Sequence, residues 1–317
     1  MANTPVAVLD DTLTDIADAI RSKTGGSATM KPGQMAAQIA SIPSGGGGFG
    51  IPLEISNGGV LSRPASYSFV VPENATSTTG DYVLSYAFDH SNGLTAIDLS
   101  PITSVSGTYS FNNMCSNCRY LRTVVLPEIK NVNKNYTFNG AFTSCSTLNA
   151  VVWNIEEISG SYACQTMFNT CAALTSIDMS SLKTVSGSNA CMNMFQTGSL
   201  STGIDLSGLT SITGNSGCKS MFSASQLKTI TFPNLSVLTA SYALQQAFSS
   251  CRSLTSVSFP ALTTSSFGSN TNQFNKMLQS VTGCTVHFPA AIQSTIGSWS
   301  DVTAGFGGTN TTVSFDL

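Results

Sequence analysis

Leucine recurs along this chain at a nearly constant step. Leu94, Leu121, Leu148, Leu174, Leu200, Leu227 and Leu254 are separated by 27, 27, 26, 26, 27 and 27 residues. A unit of that length is one supersecondary element. It cannot bury its apolar face alone, so the copies must stack and share one continuous core. Each anchor opens the same phrase: Leu94-x-x-Ile97-x-Leu99, Leu121-x-x-Val124-x-Leu126, Leu148-x-x-Val151-x-Trp153, Leu174-x-x-Ile177-x-Met179, Leu227-x-x-Ile230-x-Phe232 and Leu254-x-x-Val257-x-Phe259. The alternating pair reads as a short strand. The fifth copy is one residue longer between Leu200 and Ile204, and a degenerate eighth copy runs through Met277, Cys284, Val286 and Phe288-Pro289.

A second phrase precedes the anchors, as in Phe111-x-x-Met114-Cys115-x-x-Cys118, Phe138-x-x-Ala141-Phe142-x-x-Cys145, Cys164-x-x-Met167-Phe168-x-x-Cys171 and Leu244-x-x-Ala247-Phe248-x-x-Cys251. Its three-one-three spacing predicts a helical turn. Each unit is therefore expected to hold a strand, a turn, an extended segment and a helical turn.

The joined phrase, A-F-x-x-C-x-x-L-x-x-I-x-L, resembles the BspA-like (Treponema pallidum type) leucine-rich repeat family over about residues 82 to 290. The resemblance implies an α+β repeat solenoid, right-handed, of about eight units of 26–27 residues, on the order of 40 Å long at about 5 Å per unit. The units here exceed the family's usual length by three or four residues, in the Ser-Gly-Ser-Tyr-Ala type segment.

The repeat also accounts for the nine cysteines. Cys118, Cys145 and Cys171 keep one column, and Cys164, Cys191 and Cys218 another. Sister units hold Phe, Met, Leu or another small apolar residue there, so reduced core thiols are expected. A disulfide between stacked neighbours and a metal at Cys115-x-x-Cys118 are the alternatives. The metal reading lacks the second pair that a zinc ribbon needs.

Five segments are expected: a helical hairpin at 1–43, a Gly-rich linker at 44–50, a β cap at 51–81, the solenoid at 82–290 and a C-terminal cap at 291–317. In the hairpin, Leu13, Ile16, Ala17 and Ile20 form one helical stripe, and Pro32 suits the start of a second helix. The phrase from Asp15 to Gly25, followed by Met30-Lys31-Pro32-Gly33-Gln34-Met35, resembles the N-terminal hairpins of tail and virion proteins of phages and prophages of Gram-positive gut bacteria. That resemblance implies attachment to other virion proteins through the hairpin.

Composition bounds the chemistry. Only 9% of residues are charged, against about a quarter in ordinary domains, while Ser and Thr number 85 of 317 and 41% are hydrophobic. A net charge of −3 supplies no field for nucleic acid. No apolar run reaches the length of a membrane span, so no membrane insertion is expected. The first residues show no secretory signal pattern.

No catalytic residue, cofactor or metal site is expected. His90 and His287 are the only histidines, and both read as surface positions. The candidate ligand contacts are Tyr109, Tyr136, Tyr162 and Tyr242, with Asp178 and Asp205. Each tyrosine lies four residues after the unit's last apolar position, so a column of rings could stack on sugars, or could pack over the helical turns. Asp98, Asp178 and Asp205 share one outward slot. The last two fall on neighbouring strands, at a separation that suits sugar hydrogen bonding or a cation; a solvated strand position is the plain reading.

The resemblances together imply a non-catalytic phage or prophage virion protein, as a tail fibre or tail-tip receptor-binding protein, recognising a bacterial-surface glycan or protein and forming a homo-oligomer. Its location would then be the virion. The alternatives are a BspA-like adhesin at the bacterial cell surface and a capsid-decorating protein.

Overall fold

A computed structural model of the chain describes residues 66–269 and 271–317, together with the backbone of two short strands before them. The chain divides into two compact units, Met1–Pro64 and Ala65–Leu317. In the first, Glu54–Ile55 pairs antiparallel with Leu61–Ser62. The hairpin and linker expected at 1–50 lie outside the described residues.

The second unit is a parallel solenoid of about nine turns. Its main ladder contains three sheets of four, two and four strands. The first sheet runs Tyr67–Val70, Leu94–Asp98, Thr123–Val125 and Ala150–Val152. The second pairs Ser176–Asp178 with Gly203–Asp205, and the third runs Thr229–Thr231, Ser256–Ser258, Thr285–His287 and Thr312–Ser314. Register follows the apolar column, with Ile97 opposite Val124 and Val124 opposite Val151, then Ile177 opposite Ile204, and later Val257 opposite Val286. A one-residue slip would turn that column to solvent, which fixes the register. The strand at Tyr67–Val70 and the closing strand at Thr312–Ser314 extend the ladder beyond the eight units that the repeat count gave.

Two-residue strands form a second wall. Asn131–Val132, Glu157–Ile158, Thr184–Val185, Ser211–Ile212 and Val237–Leu238 stack in order. Val132, Ile158, Val185, Ile212 and Leu238 point inward and are buried.

The third wall departs from expectation: the segments read as helical turns are series of consecutive β-turns. In the copy from Tyr109 to Cys118, the N–H of Met114 donates to the Phe111 carbonyl at 3.2 Å, and that of Cys118 to Cys115 at 3.1 Å. The alternate N–H groups leave the coil. Those of Phe111, Asn113, Cys115 and Asn117 donate to Thr137, Asn139, Ala141 and Thr143 of the next coil, each at 2.8 Å. Every fourth residue is left-handed, with φ of 56° at Tyr109, 48° at Asn113 and 59° at Asn117. A helix and this turn series both send positions i, i+3, i+4 and i+7 inward, so the apolar pattern fits either. The series wins because it delivers half its N–H groups to the neighbouring coil. A helix would consume them internally and leave this wall without backbone bonds between coils.

Phenylalanines fill the core as rods along the stacking axis. Phe142, Phe168, Phe195, Phe222 and Phe248 stack in order with centroids 5.6, 5.5, 5.7 and 5.5 Å apart. All nine cysteines are buried free thiols. Several have a polar role besides filling space: Cys118 Sγ–H donates to the Phe88 carbonyl at 2.9 Å, Cys145 to Cys115 at 3.1 Å and Cys251 to Phe222 at 3.0 Å. Short helices at Gln293–Ile296 and Ser300–Thr303 close the C-terminal end, burying Ile296 and Val302.

Candidate recognition surface

Three of the four column tyrosines stack, joined by Tyr82. Tyr82, Tyr109, Tyr136 and Tyr162 lie one above another with centroids 4.8, 4.6 and 5.0 Å apart and ring planes within 10°. Each occupies the left-handed corner that opens its turn series. The inter-coil bonds, such as Tyr109 N–H to the Asn135 carbonyl at 3.1 Å, hold that backbone in place. The ring faces inside this stack cover one another. What it offers to solvent is ring edges and hydroxyls, so inner faces are closed to sugars. Burial and the neighbouring rings of Tyr136 and Tyr82 push the Tyr109 hydroxyl up. Tyr242 stands apart, beyond Asn189 and Ser216, and is 40% exposed.

Tyr82 was hidden in the sequence because its unit carries Thr78 where the others carry an apolar residue. Thr78 is opposite Val105 in the second wall and is buried. The four-residue offset from that slot was the available signal.

The aspartates explain themselves locally. Asp98 Oδ1 accepts the N–H of Ser100 at 2.9 Å, Asp178 that of Ser180 at 2.9 Å and Asp205 that of Ser207 at 2.8 Å. The carboxylate thus satisfies the first free donor after the strand, as Asx turns do. Units with proline at that place have no such donor, and they carry Val125, Thr231, Ser258 or His287 in the aspartate slot. Aspartate and proline are two solutions to one backbone requirement. The hydroxyl of Ser180, and after it the Ser180 N–H, hold the Asp178 carboxyl below the usual carboxylate range.

Asp178 and Asp205 are nonetheless brought side by side, as register partners on adjacent strands. They line a shallow groove of about 610 Å³ with Thr202, Gly203, Thr229 and Thr231. The extra residue of the fifth copy lies here. Gly203 takes it up with φ of 114°, a conformation open to glycine and strained for other residues. The main ladder is interrupted on both sides of this strand pair, after Val152 and after Asp205. The groove can accept hydrogen bonds from hydroxyls through two carboxylates and exchange them with three threonines.

Neither histidine approaches the groove: His90 contacts Asp89 at 2.9 Å, and His287 contacts Asp316 at 3.0 Å. Among the described residues no group of three or more His, Cys, Asp or Glu could hold a metal ion. No helix of the described residues is long and apolar enough to cross a membrane.

Comparison with known proteins bears on the repeat. Residues 68–196 and 209–287 match the BspA type leucine rich repeat region, in six copies. Among solved structures, the leucine-rich repeat protein of T. pallidum shares 14% identity and a TM-score of 0.32, covering 69% of this chain and 83% of that one. A leucine-rich repeat protein from Bacteroides ovatus shares 14% identity and a TM-score of 0.26, covering 75% and 78%. No curated protein matches the chain. The repeat match spans well over half of the sequence and falls on the coils described above, and the chain belongs to the BspA-type leucine-rich repeat family.

Proposed function

We propose that this protein is a non-catalytic recognition scaffold that acts in adhesion at a bacterial surface. The observation that carries this reading is the surface of the main ladder. Among its outward positions Thr229 and Thr231 stand in register with Ser256 and Ser258, and Thr123 and Ser176 lie on the earlier strands, an array of hydroxyls with few charges. Such an array suits glycans or protein loops, which are bound through many neutral hydrogen bonds at repeated spacing. Reduced core thiols and surface histidines supply no activated nucleophile.

Purified full-length chain, fluorescently labelled, should bind intact bacteria or their isolated walls, saturably and with little dependence on salt. Binding that vanishes at moderate ionic strength would contradict recognition through neutral groups.

The finer reading places the protein on a phage or prophage particle as a tail-fibre or tail-tip protein. The motif between Asp15 and Met35 is the observation that favours it. Mass spectrometry of purified particles against cell envelopes separates the two locations. Recovery from envelopes but never from particles rejects the virion reading and leaves the adhesin.

A further inference from the structure

A second groove, of about 540 Å³, opens at the start of the main ladder, lined by Ser66, Asn92, Thr95, Tyr120, Arg122 and Thr123. That volume falls in the range of roughly 300–1,000 Å³ typical of small-ligand sites. The repeat accounts for most side chains of this protein, but it does not account for Tyr120. The residue before the anchor leucine is Gly93, Thr147, Ala173, Ser199, Gln226 or Ser253 in the sister units. Tyr120 alone is aromatic there, and 56% of it is exposed.

Leu121 points into the core and is fully buried, while its neighbours Tyr120 and Arg122 both face solvent. The alternation that buries the leucine therefore sets ring and guanidinium on one side, both lining the groove. The backbone beneath them is pinned. The Arg122 N–H donates to the Thr95 carbonyl at 2.8 Å, and the Thr95 hydroxyl donates to the Tyr67 carbonyl at 3.1 Å.

Arg122 takes part in none of the ion pairs among the described residues, and the groove lining contains no carboxylate. By contrast Glu156 engages both Lys130 and Lys183. Other cations of the described residues, Lys228 and Arg252 among them, form no ion pair either; what sets Arg122 apart is that its guanidinium shares a carboxylate-free groove with an exposed aromatic ring. A guanidinium presents a planar fork of donors that matches a carboxylate in bidentate fashion. An exposed aromatic face packs against the C–H face of a sugar ring, and the Thr95, Thr123 and Asn92 side chains can exchange hydrogen bonds with ring hydroxyls.

We infer that this groove binds a sugar bearing a carboxylate, a uronic-acid residue of an acidic surface polysaccharide. Arg122 clamps the carboxylate and Tyr120 stacks on the ring. The inference rests on the recognition reading above and adds a cationic subsite to a surface otherwise rich in hydroxyls.

Calorimetric titration of the full chain with a galacturonate trimer, beside its methyl ester and a glycerol-phosphate oligomer, tests it. The trimer should bind, and the ester at least tenfold more weakly. Arg122→Gln should weaken trimer binding at least tenfold, Arg122→Lys should recover part of that loss, and Tyr120→Ala should weaken binding several-fold. Both side chains are exposed, so the unfolding midpoints of all variants should match that of the parent. No binding of the trimer, equal binding of the ester, tighter binding of the glycerol phosphate, or an unaffected Arg122→Gln overturns the inference. If Arg122→Gln binds whole bacteria like the parent and the trimer is ignored, the groove fails while the recognition reading stands. If the parent itself ignores bacteria, it is the recognition reading that fails.

Discussion

Replacing Gly187 with alanine tests how tightly the coils are spaced. Gly187 does not have a positive φ, so backbone conformation gives no reason to require glycine there. By the usual argument Gly187→Ala should stabilise the protein by about 0.4–1 kcal/mol, through a less flexible unfolded chain. The structure predicts the opposite sign. A Cβ on Gly187 would lie 2.2 Å from the Gly160 carbonyl oxygen, 2.7 Å from its carbon and 2.9 Å from the Ser159 oxygen. Relief needs a movement of roughly 1 Å in an interior packed as densely as a crystal. All three atoms are backbone and cannot swing aside. Nor can the coils separate, because the N–H groups of Ser186 and Gly187 both donate to the Ile158 carbonyl, at 2.9 and 3.2 Å.

Overpacking of this kind costs about 1–3 kcal/mol. Against backbone that cannot yield, the upper part of that range, about 2–3 kcal/mol, applies, so subtracting the unfolded-state gain leaves a net loss of about 1–2.6 kcal/mol, or a fall in Tm of about 2–10 °C for a domain of this size. Urea denaturation followed by circular dichroism, with the slope compared between variants, measures it. A useful contrast is Gly283, whose φ is 71° and whose Cβ would meet nothing within 4 Å. There the cost is conformational, so Gly283→Asn should be milder than Gly283→Ala, whereas Gly187→Asn should be no milder than Gly187→Ala. An unchanged or raised midpoint for Gly187→Ala would refute the account of coil spacing.

Three further outcomes follow from the core and the turns. Phe195 is 1% exposed between Phe168 and Phe222, so Phe195→Ala should cost about 3–5 kcal/mol by chemical denaturation; a loss below about 1 kcal/mol would mean that the rod collapses to fill the gap. The Asp178 carboxyl is held below its ordinary range by Ser180, so its folded value lies under its unfolded value. The stability it adds is present above about pH 4 and is lost as pH falls through the folded value. Asp178→Asn should remove that part of the acid dependence of Tm, and an acid limb identical to the parent's would argue against the bond. Burial pushes the Cys171 thiol up to about 12, and every cysteine is buried. Ellman's reagent at pH 8 should therefore be inert towards the native protein and titrate nine thiols only after unfolding; fast reaction in the native state would show that the ladder opens locally.

Much of this architecture was legible because a stack with a fixed step writes its core columns directly into the sequence. The anchor leucines, the Ile97–Val124–Val151 column, the second-wall column of Val132, Ile158 and Val185, and the cysteine slots all follow from periodicity. The turn series was illegible for a definite reason. Phe111, Met114, Cys115 and Cys118 point inward in a helix and in a chain of β-turns alike, and the apolar pattern does not record where the N–H groups go. The complementarity of Asp98, Asp178 and Asp205 with the prolines of sister units was present in the sequence, but its meaning depends on knowing that the residue after the strand has a free donor. Tyr120 and Arg122 repeat in no sister unit, so periodicity does not single them out.

By itself the sequence determined that the units stack, which residues face the shared core, and that the outer face is neutral, since these are matters of count and spacing. The tertiary structure decided what those residues do between coils. Parallel coils lie close enough for ring to cover ring in the tyrosine stack, closing the inner faces to sugars. The same stacking sends alternate N–H groups to the neighbouring coil, and it leaves the guanidinium of Arg122 in a groove without a counter-charge. Each of these depends on the distance between residues about 27 positions apart, which a repeat implies but only stacked coils fix.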